Sequence, residues 1–216
     1  MIASLLPIVG LSLYVSCTAL AIAALVGLPL GAAMALRPVP GRRFVELLIY
    51  TGMGLPPVVV GLFVYLLLSR GGPLGGLSWL FTPPAMIVAQ AIIALPLVIG
   101  LAMTAVESVD PALRLQVRSL GATPGQVMWT VLSEARTGVM AAIIAAFGSI
   151  ISEVGAVMLV GGNIAGKTRV LTTAIVLETR RGNFELALAL GAVLLGLAFV
   201  SNFVMLRAGA RRWGRW

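Results

Sequence analysis

The chain has 216 residues, 60% of them hydrophobic and only 10% charged, with a mean hydropathy of +1.08. Soluble domains carry roughly 25% charged residues, and one water-soluble core of this size cannot enclose so much apolar surface, so a soluble globular enzyme and a disordered chain are both excluded. The absence of histidine and the single Cys17 remove the usual metal ligands, disulfides and His-based catalysis, and a net charge of +8 in so apolar a sequence points to basic flanks of membrane spans, not to nucleic acid.

Five stretches reach the length of about 20 apolar residues that a helix needs to cross a bilayer core. The first is 11–36, inside a stretch of 36 residues without a charged side chain. That stretch has no basic n-region and is too long for a signal-peptide core, and its first ten residues are expected at the interface. The second, 47–69, contains Gly52, Gly54, Pro56, Pro57 and Gly61, dense enough to predict a broken helix beside a pathway. The third, 84–106, holds Pro96 and Gly100, and the fourth, 139–160, carries Glu153, the one charge deep in a span. An intramembrane carboxylate faces protein or water. It repels an anion, so two readings stand: a structural carboxyl ordering neighbouring helices, or a gating group. The fifth span is 184–206.

Basic residues set the orientation. Arg37, Arg42, Arg43, Arg114, Arg118, Arg136, Arg207, Arg211, Arg212 and Arg215 fall on one side, and Arg70, Lys167, Arg169, Arg180 and Arg181 on the other. Ten against five puts the N-terminus outside and the C-terminus in the cytoplasm, with Trp213 and Trp216 as an inner interfacial anchor.

Residues 107–138 form the longest polar segment and face the cytoplasm on this count. Asp110-Pro111 reads as an N-cap with proline at the first helical position. Leu113, Val117 and Leu120 then share one face, and Gly121 is placed to end the helix in the left-handed region. Thr123 and Gln126 have the capping-box spacing for a second helix through Val127, Val131 and Leu132. Two short capped helices serve either as a connector or as a docking element for a partner's groove.

The segment 161–183 lies outside on the same count. Gly161-Gly162-Asn163-Ile164-Ala165-Gly166-Lys167-Thr168 satisfies the phosphate-loop pattern, but that loop needs a preceding strand and a cytoplasmic nucleotide. An apolar span precedes it here, so the nucleotide reading is rejected. Two readings remain, a mobile external loop or an anion contact made by exposed amides with Lys167 and Arg169. The short apolar stretch 170–177 is expected as an interfacial or re-entrant helix over the pore mouth. If the segment is helical, Thr168 shares a face with Thr172, and Arg169 with Thr173. Hydroxyl donors beside a cation suit a tetrahedral oxyanion.

Arg118-Ser119-Leu120-Gly121-Ala122, followed after nine residues from the glycine by Val131, resembles the centre of the cytoplasmic loop motif of permeases from binding-protein-dependent ABC importers, E-A-A, three residues, G, nine residues, I-x-L-P. Leu115-Gln116-Val117 stands where E-A-A is expected, and Ser133-Glu134 where L-P is expected. The stretch from Val131 to Gly138 is similar to the form found in the tungstate branch, as are Glu153-Val154-Gly155-Ala156, Gly161-Gly162-Asn163-Ile164, Thr168-Arg169, Leu171-Thr172-Thr173-Ala174-Ile175 and Leu177-Glu178-Thr179. The likeness covers about 12–205. Ser149 departs from it, standing where an arginine is expected.

The resemblance implies a single all-α permease domain that binds no cofactor of its own. It implies ATP and Mg²⁺ on separate cytoplasmic ABC ATPase subunits, an extracytoplasmic oxyanion-binding protein, and a second copy of the chain in a bacterial or archaeal cell membrane. The cargo it implies is tungstate, with molybdate or another oxyanion as the alternative. It marks Arg118, Leu120, Gly121, Ala122 and Gln126 for coupling to the ATPase, and Glu153, Asn163, Lys167, Arg169, Thr172 and Thr173 for the pathway or gate. The rivals are a self-contained secondary transporter or channel, disfavoured by the scarcity of deep ionisable groups and by a span number that cannot split into equal inverted repeats, and a membrane-bound nucleotide hydrolase.

Overall fold

The computed structural model describes residues 2–37 and 40–210, so the expected anchor at Trp213 and Trp216 lies outside the described residues. Ten α-helices and one 3₁₀ turn, Gly75–Leu77, make up the described chain, with no strand among the described residues. α1 (Ile2–Leu36) runs longer than expected, passing through Pro7. Its first ten residues do not lie apart at an interface: Leu5, Ile8 and Val9 pack on a cluster formed by Leu171, Ala174 and Leu190.

The second expected span is two helices, α2 (Arg42–Met53) and α3 (Pro57–Leu68), bent by 99°. The cause is local. Pro56 and Pro57 supply no N–H, and a residue before proline is pushed out of the helical region; Pro56 accordingly sits at φ −60, ψ 121. α4 (Pro83–Glu107) tolerates Pro96 and stays continuous. Two short helices follow, α5 (Pro111–Ser119) and α6 (Pro124–Glu134). The fourth expected span is also broken, into α7 (Arg136–Ile151) and α8 (Gly155–Gly161), with Glu153 in the gap. α9 (Leu171–Arg180) precedes the last helix, α10 (Phe184–Ala210). α1, α4 and α10 are each long and apolar enough to cross a membrane, and the total reaches five if the bent pairs α2–α3 and α6–α7, the latter bent by 75°, each count as one span.

α4 is the axis of the bundle, packed on α1 above all and also on α7, α2, α8 and α3. Gly27 and Gly31 of α1 sit on Val98 to Met103, which makes the two helices parallel. Gly138 faces Ala105 and Gly161 faces Met86, so α7 and α8 together run antiparallel along the length of α4. These seams are built from small residues, with Ala19, Ala89, Ala102 and Ala146 fully buried. That is the packing expected where lipid tails leave no hydrophobic drive between helices and close van der Waals contact must hold them. α10 packs mainly on α9, leaving Leu195, Phe199 and Phe203 exposed as a lipid-facing surface.

Candidate functional site

Three regions carry the residues that the sequence singles out. The first is the α5–α6 hook. Asp110 accepts a hydrogen bond from Ala112 N at 2.8 Å, and the box between Thr123 and Gln126 closes in both directions. Gly121 has φ +81, and Gly121 N and Ala122 N donate to Arg118 O and Val117 O, the paired bonds of a Schellman turn. The face expected to hold Leu113, Val117 and Leu120 is divided by this turn. Leu113 and Val117 pack inward with Val127 and Val131 against Met103 and Val106. Leu120, one residue past the helix, is 86% exposed, and Trp129 on α6 is 72% exposed. Arg118 and Gln126 are exposed as well. Local caps satisfy the main chain, so the apolar side chains at the tip are free to point outward.

The second region is the meeting of the two breaks. A methyl built on Gly61 would stand 2.5 Å from Ala156 Cα, and one on Gly155 2.4 Å from Val58 Cγ2, so α3 and α8 touch nearly backbone to backbone. Glu153 belongs to this junction: Oε1 accepts from Ala156 N at 2.9 Å, and its carbonyl accepts from Thr172 Oγ1 at 2.9 Å. This bond to an N–H in the first turn of α8 offsets part of the cost of placing a carboxyl group there. Beside the junction, a crevice of about 260 Å³ is lined by Gly52 to Pro57, Ile92, Leu97 and Ser149. Ser149 is exposed on α7, in line with Ala141, Ala145 and Ser152, which gives the helix one small, weakly polar open face. The glycine and proline cluster pointed to the break; nothing in the sequence pointed to Ser149 as its neighbour.

Gln90 was also missed. Its side chain is 4% exposed and donates to Ile150 O at 2.8 Å, a carbonyl released where α7 ends, while Oε1 has no partner. A lone glutamine in an apolar helix carries no periodic signal, so only the packing finds it.

The third region is 161–183. Lys167 N, Thr168 N and Arg169 N all donate to Ile164 O, at 3.1, 3.0 and 3.1 Å. The amides that a phosphate loop would offer are thus turned onto the loop's own carbonyl, which agrees with rejection of the nucleotide reading. Thr168 is fully buried, donating to Gly161 O and accepting from Ile164 N. Thr173 is fully buried too, bonded to the main chain of Val170. The helix begins at Leu171, so Thr168 and Arg169 precede it and share no helical face with Thr172 and Thr173. Residues 171–177 belong to a helix packed within the bundle: Leu171 and Ala174 are buried against α1 and α10, and Leu171 N donates to Ser12 Oγ. Arg169 bonds Asn163 twice, at Oδ1 and at the carbonyl, while Lys167 is exposed. Of the expected site residues in this segment, Lys167 is exposed, Asn163 and Arg169 are half-buried, and Thr172 and Thr173 are buried.

Known proteins resemble the chain over nearly its whole length. It is 47% identical to the "Probable anion ABC transporter permease protein" of Haloferax volcanii over 98% of this chain and 93% of that one. It is 41% identical to the tungstate uptake system permease protein TupB of Peptoclostridium acidaminophilum, over 92% of this chain and 87% of that one. In structure it is similar to a chain of the methionine ABC transporter MetNI in an inward-facing conformation, with a TM-score of 0.72 at 19% identity, covering 98% of this chain and 95% of that chain. The family model for "Binding-protein-dependent transport system inner membrane component" matches residues 27–213. With that match over most of its length, the chain belongs to the family of membrane-spanning permease components of binding-protein-dependent transport systems.

Proposed function

We propose that the chain is the membrane permease subunit of an ABC importer for an oxyanion, tungstate in the first instance. The observation that carries this reading is the hook: two capped helices joined at Gly121, presenting Leu120 and Trp129 to solvent at the end of the bundle where α1 and α4 finish. A separate cytoplasmic ABC ATPase receives the hook and supplies the energy. Arg118, Leu120, Gly121, Ala122 and Gln126 form the contact. The N-terminus then lies outside the cell membrane of a bacterium or archaeon and the C-terminus inside.

Two copies enclose the path, each contributing the open small-residue face of α7 and the crevice at the α2–α3 break. Outside, a binding protein delivers the anion to the loop bearing Lys167, Arg169 and Asn163. Thr172 ties α9 to the break at Glu153, so movement of the outer cap and of the break are linked. Closure of the ATPase pair rocks the two copies against each other and alternates access. The choice of tungstate is supported by the named relatives.

The test is uptake of radiolabelled tungstate into vesicles containing the chain, its ATPase and its binding protein. ATP-dependent accumulation, competed by molybdate less well than by tungstate, is the expected result. Ser149→Trp, which fills the crevice mouth, is expected to lower uptake about ten-fold, a loss of about 1.4 kcal/mol of barrier lowering. Uptake by the chain alone would replace this reading with a self-contained transporter, and ATP hydrolysis by the chain alone with a hydrolase.

A further inference from the structure

Two guanidinium groups from different helices converge on the last turn of α4. Arg114 of α5 donates through Nη2 to Val106 O at 2.9 Å, where the helix dipole favours a cation. The next residue, Glu107, pairs with Arg42, the first residue of α2, which also bonds Glu46 one turn along α2 at 2.6 Å. α5 forms half of the hook, and α2 ends at the break beside the crevice. Both are therefore fastened to the same turn of one helix.

Further observations suggest that this fastening is made to move. The Nε of Arg114 is buried without a hydrogen-bond partner. A buried donor left unpaired calls for an explanation, and a second position of α5 that satisfies it supplies one. Room for that movement exists: a cavity of about 420 Å³, lined by Asp110, Leu113, Glu134 and Gly138 among others, separates the start of α5 from the junction of α6 and α7. Along α4, α2 rests through Gly52 on Pro96 and through Met53 on Gly100. Small residues at such a seam let the two helices approach closely, and Met53 and Pro96 seat in the glycine notches, so a displacement of the α4 end is passed directly to α2.

Resting on the permease reading above, we propose that Arg114 and the Arg42–Glu107 pair are positioning residues that convert displacement of the hook into displacement of the α4 end and, through α2, of the Gly54–Pro56 break. Arg114 carries the motion from α5 to α4, and the ion pair carries it from α4 to α2. Partly exposed ion pairs contribute little to stability, so the pair is suited to setting position and its loss leaves the fold intact.

The test has two arms. In vesicles with ATPase and binding protein, the quantity read is ATP hydrolysed per tungstate imported. Arg114→Met and Arg42→Glu are each expected to raise it at least five-fold with hydrolysis within two-fold of the parent. Arg114→Lys is expected to restore most of the coupling, as is the exchange Arg42→Glu with Glu107→Arg. A merely structural role would lower hydrolysis and import together and leave the ratio unchanged, which would overturn the proposal. The second arm needs no transport. In the purified chain carrying Cys17→Ser and Leu55→Cys, the rate of maleimide labelling at the break is expected to change at least three-fold on adding Arg114→Met, and the charge exchange to return Arg42→Glu to the parent rate. Equal rates throughout would overturn the relay even if import proceeds. A parent complex that imports nothing while the labelling rates shift would sink the permease reading and leave the relay standing.

Discussion

The hook and the cap formed by residues 161–183 are built from the same residue types, glycine, threonine and arginine around short helices, yet they use them in opposite directions. In the hook, near neighbours cap the helix starts, Asp110 meeting Ala112 N in α5 and Thr123 and Gln126 meeting each other's amides at α6, and the side chains at the tip are exposed. In the cap, Thr168, Thr172 and Thr173 are drawn inward to serve main-chain groups of Gly161, Ile164, Glu153 and Val170. The difference follows from what lies beneath. The hook meets water, which satisfies whatever the caps leave. The cap folds down onto two broken ends inside the bundle, where an unpaired N–H or C=O has no solvent to turn to. A hydroxyl close to apolar sequence is therefore more often a brace than a ligand.

The sharpest way to break this contrast is to charge the tip of the hook. Leu120→Asp combined with Trp129→Asp is expected to lower ATP-dependent uptake by ten-fold or more. The scale is that of an interface hot spot, at which truncation costs about 2 kcal/mol or more. Both side chains are largely exposed, so the thermal midpoint of the purified chain is expected to stay where it was. A fall in the midpoint equal to the fall in uptake would show that the tip is packed within the chain after all.

The cap is expected to answer the other way. Thr168→Val keeps the shape of the side chain but leaves Ile164 N and Gly161 O without a partner in a site with no exposed surface. The expected cost is about 1–3 kcal/mol in unfolding free energy, read by denaturant or thermal melting in detergent. Uptake per folded molecule should be unchanged. Intact stability with lost uptake would place the hydroxyl on the anion's route and erase the contrast.

What the sequence made legible follows the same division. The caps of α5 and α6 and the left-handed Gly121 rest on local signals, and each is found where the residues place it. Of the five expected spans, the first, third and fifth coincide with single long apolar helices, while the second and fourth are each broken in two. The break at Pro56-Pro57 was equally local. The break at Ser152 to Val154 was not, since nothing between Ala146 and Val160 interrupts the apolar run except Glu153 and small residues. It depends on Gln90 and Thr172, which reach in from α4 and α9 to take up the freed carbonyls. Partners so distant in sequence leave no pattern within any one segment. For the same reason, Ser149 and the Arg42–Glu107 pair acquire meaning only once α4 has gathered the other helices around it.

The smallest effect expected concerns the join between cap and lipid-facing helix, and it depends on pH. Glu178, near the end of α9, accepts from Asn183 Nδ2 at 2.8 Å and from Arg181 Nη1 at 3.0 Å. The hydrogen bond from Asn183, with Arg181 adding charge and a second bond, holds this carboxyl below its ordinary value of 4.5. A carboxyl whose value is lower in the folded chain contributes stability above the unfolded value, and that contribution disappears as the pH falls through the folded one. Glu178→Gln removes the charge at every pH. The difference in thermal midpoint between parent and variant is therefore expected to be present at pH 7, to shrink below pH 4.5, and to vanish under more acid conditions. Cleavage by added protease at the α9–α10 turn around Gly182 should rise in step. A difference that stays constant with pH would mean that the hydrogen bonds hold the carboxyl by shape alone.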